Sequence, residues 1–200
     1  TYKVLANEVD LSAELMAGHS LGEYSALVAA GSLEFFDAVK LVRKRAQLMQ
    51  SAVPVGSGAM AAILGLDDEQ VIEICNQSNS LGVVEAVNFN SPGQVVIAGE
   101  KEAVNGACEA MKNAGAKRAL VLPVSVPSHC SLMTEAAQEF AKSVDMVNFK
   151  IGNVVVLHNV DASAAEDVNE IKSKLVEQLH KPVLWTASVQ KMQQLGIEKI

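Results

Sequence analysis

A serine between two glycines, a histidine behind a proline and an arginine among apolar residues are the side chains of this sequence with chemistry to offer. The serine lies in Gly18-His19-Ser20-Leu21-Gly22. Ala13 to Ala17 precede it, short and mostly apolar like the end of a strand, and Glu23 to Ala30 follow as a helix closed by Gly31. At such a strand-to-helix turn a serine is held in a tight conformation that lifts its hydroxyl above the sheet, with glycines on either side where side chains would clash. The same turn aims the Leu21 N–H and the start of the helix dipole at an oxyanion forming on an acylated serine. Ser20 is therefore the candidate nucleophile; an N-capping serine in a glycine-flanked turn is the structural alternative that the pattern alone leaves open.

A serine hydroxyl needs a neighbouring base to take its proton. Of the four histidines, His129 is best placed, because it follows the stiff Val126-Pro127-Ser128 loop at the end of a predicted strand, the edge where α/β sites gather. The His19 ring is expected to point away from the exposed side of Ser20, and His158 and His180 are read as structural. A third group should orient the base, yet the available acids Asp67, Asp68 and Glu85 fall in a different part of the fold. A backbone or amide carbonyl is left to hold the imidazole N–H, which makes the pair a dyad.

The arginine sits on a long helical pattern from about Phe35 to Ala52, stopped by Pro54 and Gly56. With successive residues turned by about 100°, Ala38, Leu41, Val42, Met49 and Ala52 share one face, and Lys40, Arg43, Lys44, Gln47 and Gln50 the other. Arg45 falls in the middle of the apolar face. A guanidinium stays protonated and is costly to bury without an anionic or hydrogen-bonding partner, so a carboxylate either of the protein or of a ligand should meet it. Structural pairs being commoner, the helical wheel by itself favours the internal one.

These residues belong to a 200-residue chain, half of it hydrophobic, with positive mean hydropathy and no apolar run of membrane-spanning length. Its net charge of −7 argues against a nucleic-acid surface. Cys75, Cys108 and Cys130 are too few and too scattered for a zinc or disulfide framework; they fit a reducing cytoplasm and read as plain thiols. Neither a metal nor a cofactor is expected. Residues 1–10 read as a helix tail or a loop.

From Gly58 to Pro123 the pattern shortens. Strands are predicted at Ala59–Leu64, Val83–Phe89, Gln94–Ala98 and Ala119–Val124, with helices at Asp67–Gln77 and Lys101–Asn113. This is the βαββαβ order of a ferredoxin-like unit. Longer elements return after it: helices at about Leu132–Val144 and Val168–Leu179, a strand at Gly152–Leu157, and a helix from about Thr186. We expect an α/β fold in which a small ferredoxin-like subdomain, residues 58–123, is inserted into a larger parallel-sheet subdomain made of residues 1–57 and 124–200.

Taken together, Gly18 to Ser25, Arg45, Val87-Asn88-Phe89-Asn90-Ser91-Pro92-Gly93-Gln94 with its continuation to Gly99, and Pro123 to Cys130 resemble the malonyl-CoA:acyl-carrier-protein transacylases of bacterial fatty acid synthesis. The resemblance runs essentially the whole length. It implies a hydrolase-like large subdomain and acyl transfer by a ping-pong route, from malonyl-CoA to the phosphopantetheine thiol of an acyl carrier protein. Ser20 would be the nucleophile, His129 the base, and the Leu21 N–H an oxyanion donor. It also assigns Arg45 to the malonyl carboxylate, Asn90 to the cleft lining and the Gln178 main-chain carbonyl to orienting His129. A cytoplasmic monomer, with neither nucleic acid nor membrane as partner, is expected.

The family's amino-terminal strand with a Gly-Gln-Gly-Ser-Gln motif, which supplies a second oxyanion donor, has no counterpart here, nor has its carboxy-terminal Gly-Pro-Gly segment. A chain cut from a longer protein at both ends, inactive or unable to fold by itself, is the expectation. The alternatives are a serine esterase or thioesterase, an acyltransferase domain of a polyketide or fatty acid synthase, and a module that only binds acyl-CoA or a carrier protein.

Overall fold

The computed structural model describes residues 13–197 together with Tyr2, Val4 and Glu8. The sequence reading of residues 1–10 falls almost wholly outside them. The fold is α/β with one parallel and one antiparallel sheet. A three-residue strand β1 (Leu15–Ala17) runs into the glycine-flanked turn and helix α1 (Leu21–Ala29), followed by the long α2 (Phe35–Ser51). Then come β2 (Gly58–Leu64), α3 (Asp68–Ser78), β3 (Val84–Ser91), β4 (Gln94–Glu100), α4 (Lys101–Asn113) and β5 (Arg118–Val121). The remainder supplies α5 (Thr134–Asp145), β6 (Val155–Leu157), α6 (Val168–Glu177) and α7 (Trp185–Gln194).

Strands β2 to β5 form an antiparallel sheet in the order β3-β4-β2-β5. The two-residue period of a strand divides its side chains between two cores. Ala59, Ala61 and Ile63 of β2 join Val95 and Ile97 of β4 beneath α3 and α4, where Val71, Cys75, Val104, Ala107 and Met111 are buried. Met60, Val87, Val96 and Ala98 face the other way, onto Cys130 and Leu132 beside His129. The back of this sheet thus supports the loop that carries the histidine. All three cysteines are free and buried.

The larger core gathers Tyr24 and Leu27 of α1, Leu41 and Met49 of α2, Phe140 and Val144 of α5, and Leu175 and Leu179 at the end of α6. Helix α2 presents the expected stripe to it: Ala38, Leu41, Arg45 and Met49 are buried. β1 and β6 pair in parallel, Leu15 opposite Val155 and Ala17 opposite Leu157.

Two strands are shorter than their sequences suggest, each for a local reason. β5 ends at Val121: Leu122 N–H still reaches Met60 O at 2.8 Å, but Val124 N–H then turns back onto Leu122 O at 2.8 Å and takes the chain out of the ladder. β6 begins only at Val155 because the preceding residues are tied to the end of α1, with Asn153 N–H donating to Ala30 O at 2.9 Å and Lys150 N–H to Ser32 O at 3.1 Å. α1 begins two residues earlier than expected, at Leu21.

Phe140 and Met111 are fully buried, one in each main core. Replacing either by alanine is expected to destabilise the protein, by about 3–5 kcal/mol for Phe140 and about 2–5 kcal/mol for Met111. Urea unfolding of the two variants measures it.

Candidate active site

Because β1 and β6 are parallel and in register, their carboxyl ends open side by side, and residues 18–20 and 158–159 leave the sheet as neighbours. Ser20 has φ 50° and ψ −106°, a conformation that non-glycine residues seldom adopt. Asn159 holds it there: its Oδ1 accepts from Ser20 N–H at 2.6 Å, while its Nδ2 donates to Gly18 O at 2.9 Å. Gly18 is required, since a Cβ there would lie 2.0 Å from Gly22 O. The expected clash at Gly22 is not found; a Cβ at that helical position meets nothing within 4 Å. Leu21 N–H, in the first turn of α1, has no hydrogen-bond partner among the described residues.

His129 comes to this serine across 109 residues of sequence, with Nε2 at 2.8 Å from Ser20 Oγ. The end of α6 fixes it. A helix leaves its last carbonyls without intrahelical partners; here Gln178 O accepts from His129 Nδ1–H at 2.6 Å and Leu179 O from His129 N–H at 3.0 Å. A carbonyl can only accept, so the proton is on Nδ1 and the Nε2 lone pair faces the serine hydroxyl. Burial holds the imidazole down to about 4, and the positive charge of Arg45 adds to it; the Gln178 carbonyl pulls the other way. At neutral pH the ring is neutral and able to accept a proton.

Arg45 completes the group. Its NH2 donates to Ser20 Oγ at 3.0 Å and to Gln178 Oε1 at 3.1 Å, and its guanidinium carbon lies 5.9 Å from the centre of the Tyr24 ring. The internal ion pair favoured by the helical wheel is not there. Arg45 forms no salt bridge among the described residues, and its buried Nε has no partner. Burial pulls its pKa down, with Tyr24 and Glu23 opposing, but a guanidinium remains charged at any ordinary pH.

Asn90, at the end of β3, accepts through Oδ1 from His19 Nε2–H at 2.8 Å, and the His19 ring lies 5.5 Å from that of Trp185. His19 thus ties the serine turn to β3. His158 is buried against Glu23, Nδ1 to Oε1 at 2.8 Å. His180 is half-buried, and its pKa is lowered by burial.

Sequence reasoning missed the polar layer beneath these residues: Glu23, His158, Asn159 and the side chain of Gln178 are all buried. One signal was available. Glu23 shares the apolar stripe of α1 with Ala26, Leu27 and Ala30, at the spacing that singled out Arg45 on α2. Among the described residues no cluster of three or more His, Cys, Asp or Glu is arranged to hold a metal ion, and no helix is long and apolar enough to cross a membrane.

Residues 10–198 match the acyl transferase domain family. The chain belongs to this family. Over 187 residues this acyl transferase domain is 57% identical to a malonyl CoA-acyl carrier protein transacylase of Haemophilus influenzae, covering 94% of the chain and 60% of that protein. It superposes with a TM-score of 0.95 on the acyl carrier protein S-malonyltransferase of Vibrio cholerae, at 52% identity, over 98% of this chain and 64% of that one. A malonyl-transacylase in complex with a type II PKS acyl-carrier protein aligns with a TM-score of 0.96 and 49% identity, over 98% and 63% of the two chains. The chain spans less than two thirds of the length of these relatives.

As the candidate base of this acyl transferase domain, His129 is expected to stay neutral far into the acid range. Modification of Ser20 by an uncharged serine-directed phosphonate is expected to fall, as pH is lowered, only near the His129 value of about 4. A rate that already halves near the ordinary histidine value contradicts the burial argument.

Proposed function

We propose that this chain forms the core of a malonyl-CoA:acyl-carrier-protein transacylase, moving a malonyl group from coenzyme A to the phosphopantetheine thiol of an acyl carrier protein through a malonyl-serine intermediate. The observation that carries the reading is Arg45: a buried, unpaired guanidinium 3.0 Å from the Ser20 hydroxyl. A cation placed there suits an acyl group with a free carboxylate and leaves an acetyl group nothing to offer it. The malonyl transacylase names of the relatives and the carrier-protein complex of one of them support the same substrates.

In the first half-reaction the Ser20 oxygen attacks the malonyl thioester carbonyl while His129 Nε2 takes the hydroxyl proton. Leu21 N–H meets the developing oxyanion, with the dipole of α1 behind it. The carbonyl reforms as the C–S bond breaks, and the proton on His129 passes to the departing thiolate of coenzyme A. In the second half-reaction His129 takes the proton of the carrier's thiol, the sulfur attacks the serine ester, and the proton returns to Ser20.

Substrate and base are coupled. Burial first, and the Arg45 charge after it, hold His129 down; a malonyl carboxylate seated on Arg45 offsets the second of these, so the imidazole becomes a stronger base when the correct acyl group is present.

We also assign the β2–β5 unit, within residues 58–123, to a ferredoxin-like subdomain inserted in a hydrolase-like one of residues 1–57 and 124–200. Its strand order supports this. Asn90 would line the cleft from that unit through its contact with His19.

Two expected outcomes check the reading in the full-length protein. Incubation with malonyl-CoA adds one malonyl mass to the wild type and none to Ser20→Ala. Arg45→Ala lowers malonyl loading by about 2–5 kcal/mol in transition-state terms, as removal of one partner of a buried charge pair does, and narrows the preference for malonyl over acetyl. An unchanged preference removes Arg45 as the anchor.

A further inference from the structure

Among the described residues no acid touches the buried, charged Arg45, so its counter-charge lies one side chain further off. Glu23 supplies it. The Glu23 side chain is fully buried on α1, and its carboxylate is met by three groups: His158 Nδ1 at 2.8 Å on Oε1, and Asn159 N–H at 2.9 Å and Gln178 Nε2 at 2.8 Å on Oε2. Gln178 lies between the two charges. Its Nε2 faces Glu23 Oε2 and, at 3.1 Å, the Ser20 carbonyl, both of which can only accept. The amide therefore has one orientation, and its Oε1 must turn to Arg45, where it accepts from NH2 at 3.1 Å.

We infer that Glu23 is a positioning residue for carboxylate recognition: by orienting the Gln178 amide it aims the Arg45 guanidinium at the acyl pocket and stabilises its charge from one side chain away. The distance is functional. An acid in direct contact would occupy the guanidinium fork that the substrate needs, whereas no acid at all would leave the arginine uncompensated. The relay Glu23–Gln178–Arg45 keeps the cation both stable and vacant. His158 and Asn159 lock the carboxylate in turn, and Asn159 also holds Ser20 N–H and Gly18 O, so nucleophile and anchor share one foundation.

This inference rests on the malonyl transfer proposed above, and the test separates the two. In the full-length protein, Glu23→Gln keeps an oxygen for Asn159 and Gln178 and lets His158 change tautomer, so it removes mainly the charge. The expected result is a drop of about 10-fold in the malonyl-over-acetyl ratio of kcat/KM, seen mostly in KM for malonyl-CoA, with much less change in Ser20 labelling by the uncharged phosphonate. In an Arg45→Ala background the same substitution should change the ratio no further, because its effect passes through Arg45. Glu23→Asp, which withdraws the charge by one methylene, carries the same readout should Glu23→Gln not fold.

Equal losses in malonyl loading and phosphonate labelling, an additive loss in the double variant, or an unaltered ratio would each overturn the inference. A wild type that does not prefer malonyl over acetyl overturns the proposed function, and this inference with it.

Discussion

The site depends on a positive charge buried without an acid in contact. A guanidinium taken out of water demands compensation, and Lys174, the other buried Lys or Arg side chain among the described residues, is met directly by Asp161 and Glu170. Arg45 instead touches a hydroxyl and an amide oxygen, with its nearest buried carboxylate, Glu23, reached through Gln178. That arrangement costs stability and is retained beside Ser20, the one serine among the described residues with a positive φ. The pairing of strain with an unneutralised charge is what favours the proposed reading, a site for an anionic acyl group, over a general esterase pocket.

The rest of the fold can be understood as the means of bringing remote residues to that charge. Parallel pairing of β1 with β6 sets the serine turn beside Asn159. The end of α6 offers the two carbonyls that hold His129. The antiparallel sheet backs the histidine loop through Met60, Val96 and Cys130, and β3 reaches the serine turn through Asn90 and His19. Residue 178 serves twice, its main chain turned to His129 and its side chain to Arg45 and Glu23. A helix terminus makes that possible, since only there is a main-chain carbonyl free to act.

Much of this was legible in the sequence because it followed from local rules. The glycine-serine turn, the apolar stripe of α2 with Arg45 in it, and the βαββαβ order came from spacing alone. The resemblance added Gln178 and Asn90, which no local pattern marks. What escaped was the polar layer beneath: only Glu23, on the apolar stripe of α1, carried a local signal, while His158 and Asn159 acquire meaning only when parallel strands and a distant helix end bring them together. The wheel also misjudged the partner of Arg45. It can place a charge on a buried face, but whether a neighbour neutralises that charge is a tertiary question.

The most direct measurement is a crystal structure of the full-length protein trapped with malonate esterified to Ser20. The account requires the free carboxylate to lie on Arg45 and take up its unpartnered Nε, with Gln178 still between Arg45 and Glu23. A carboxylate turned to solvent, or an Arg45 swung onto Glu23 while the acyl group is in place, would contradict it.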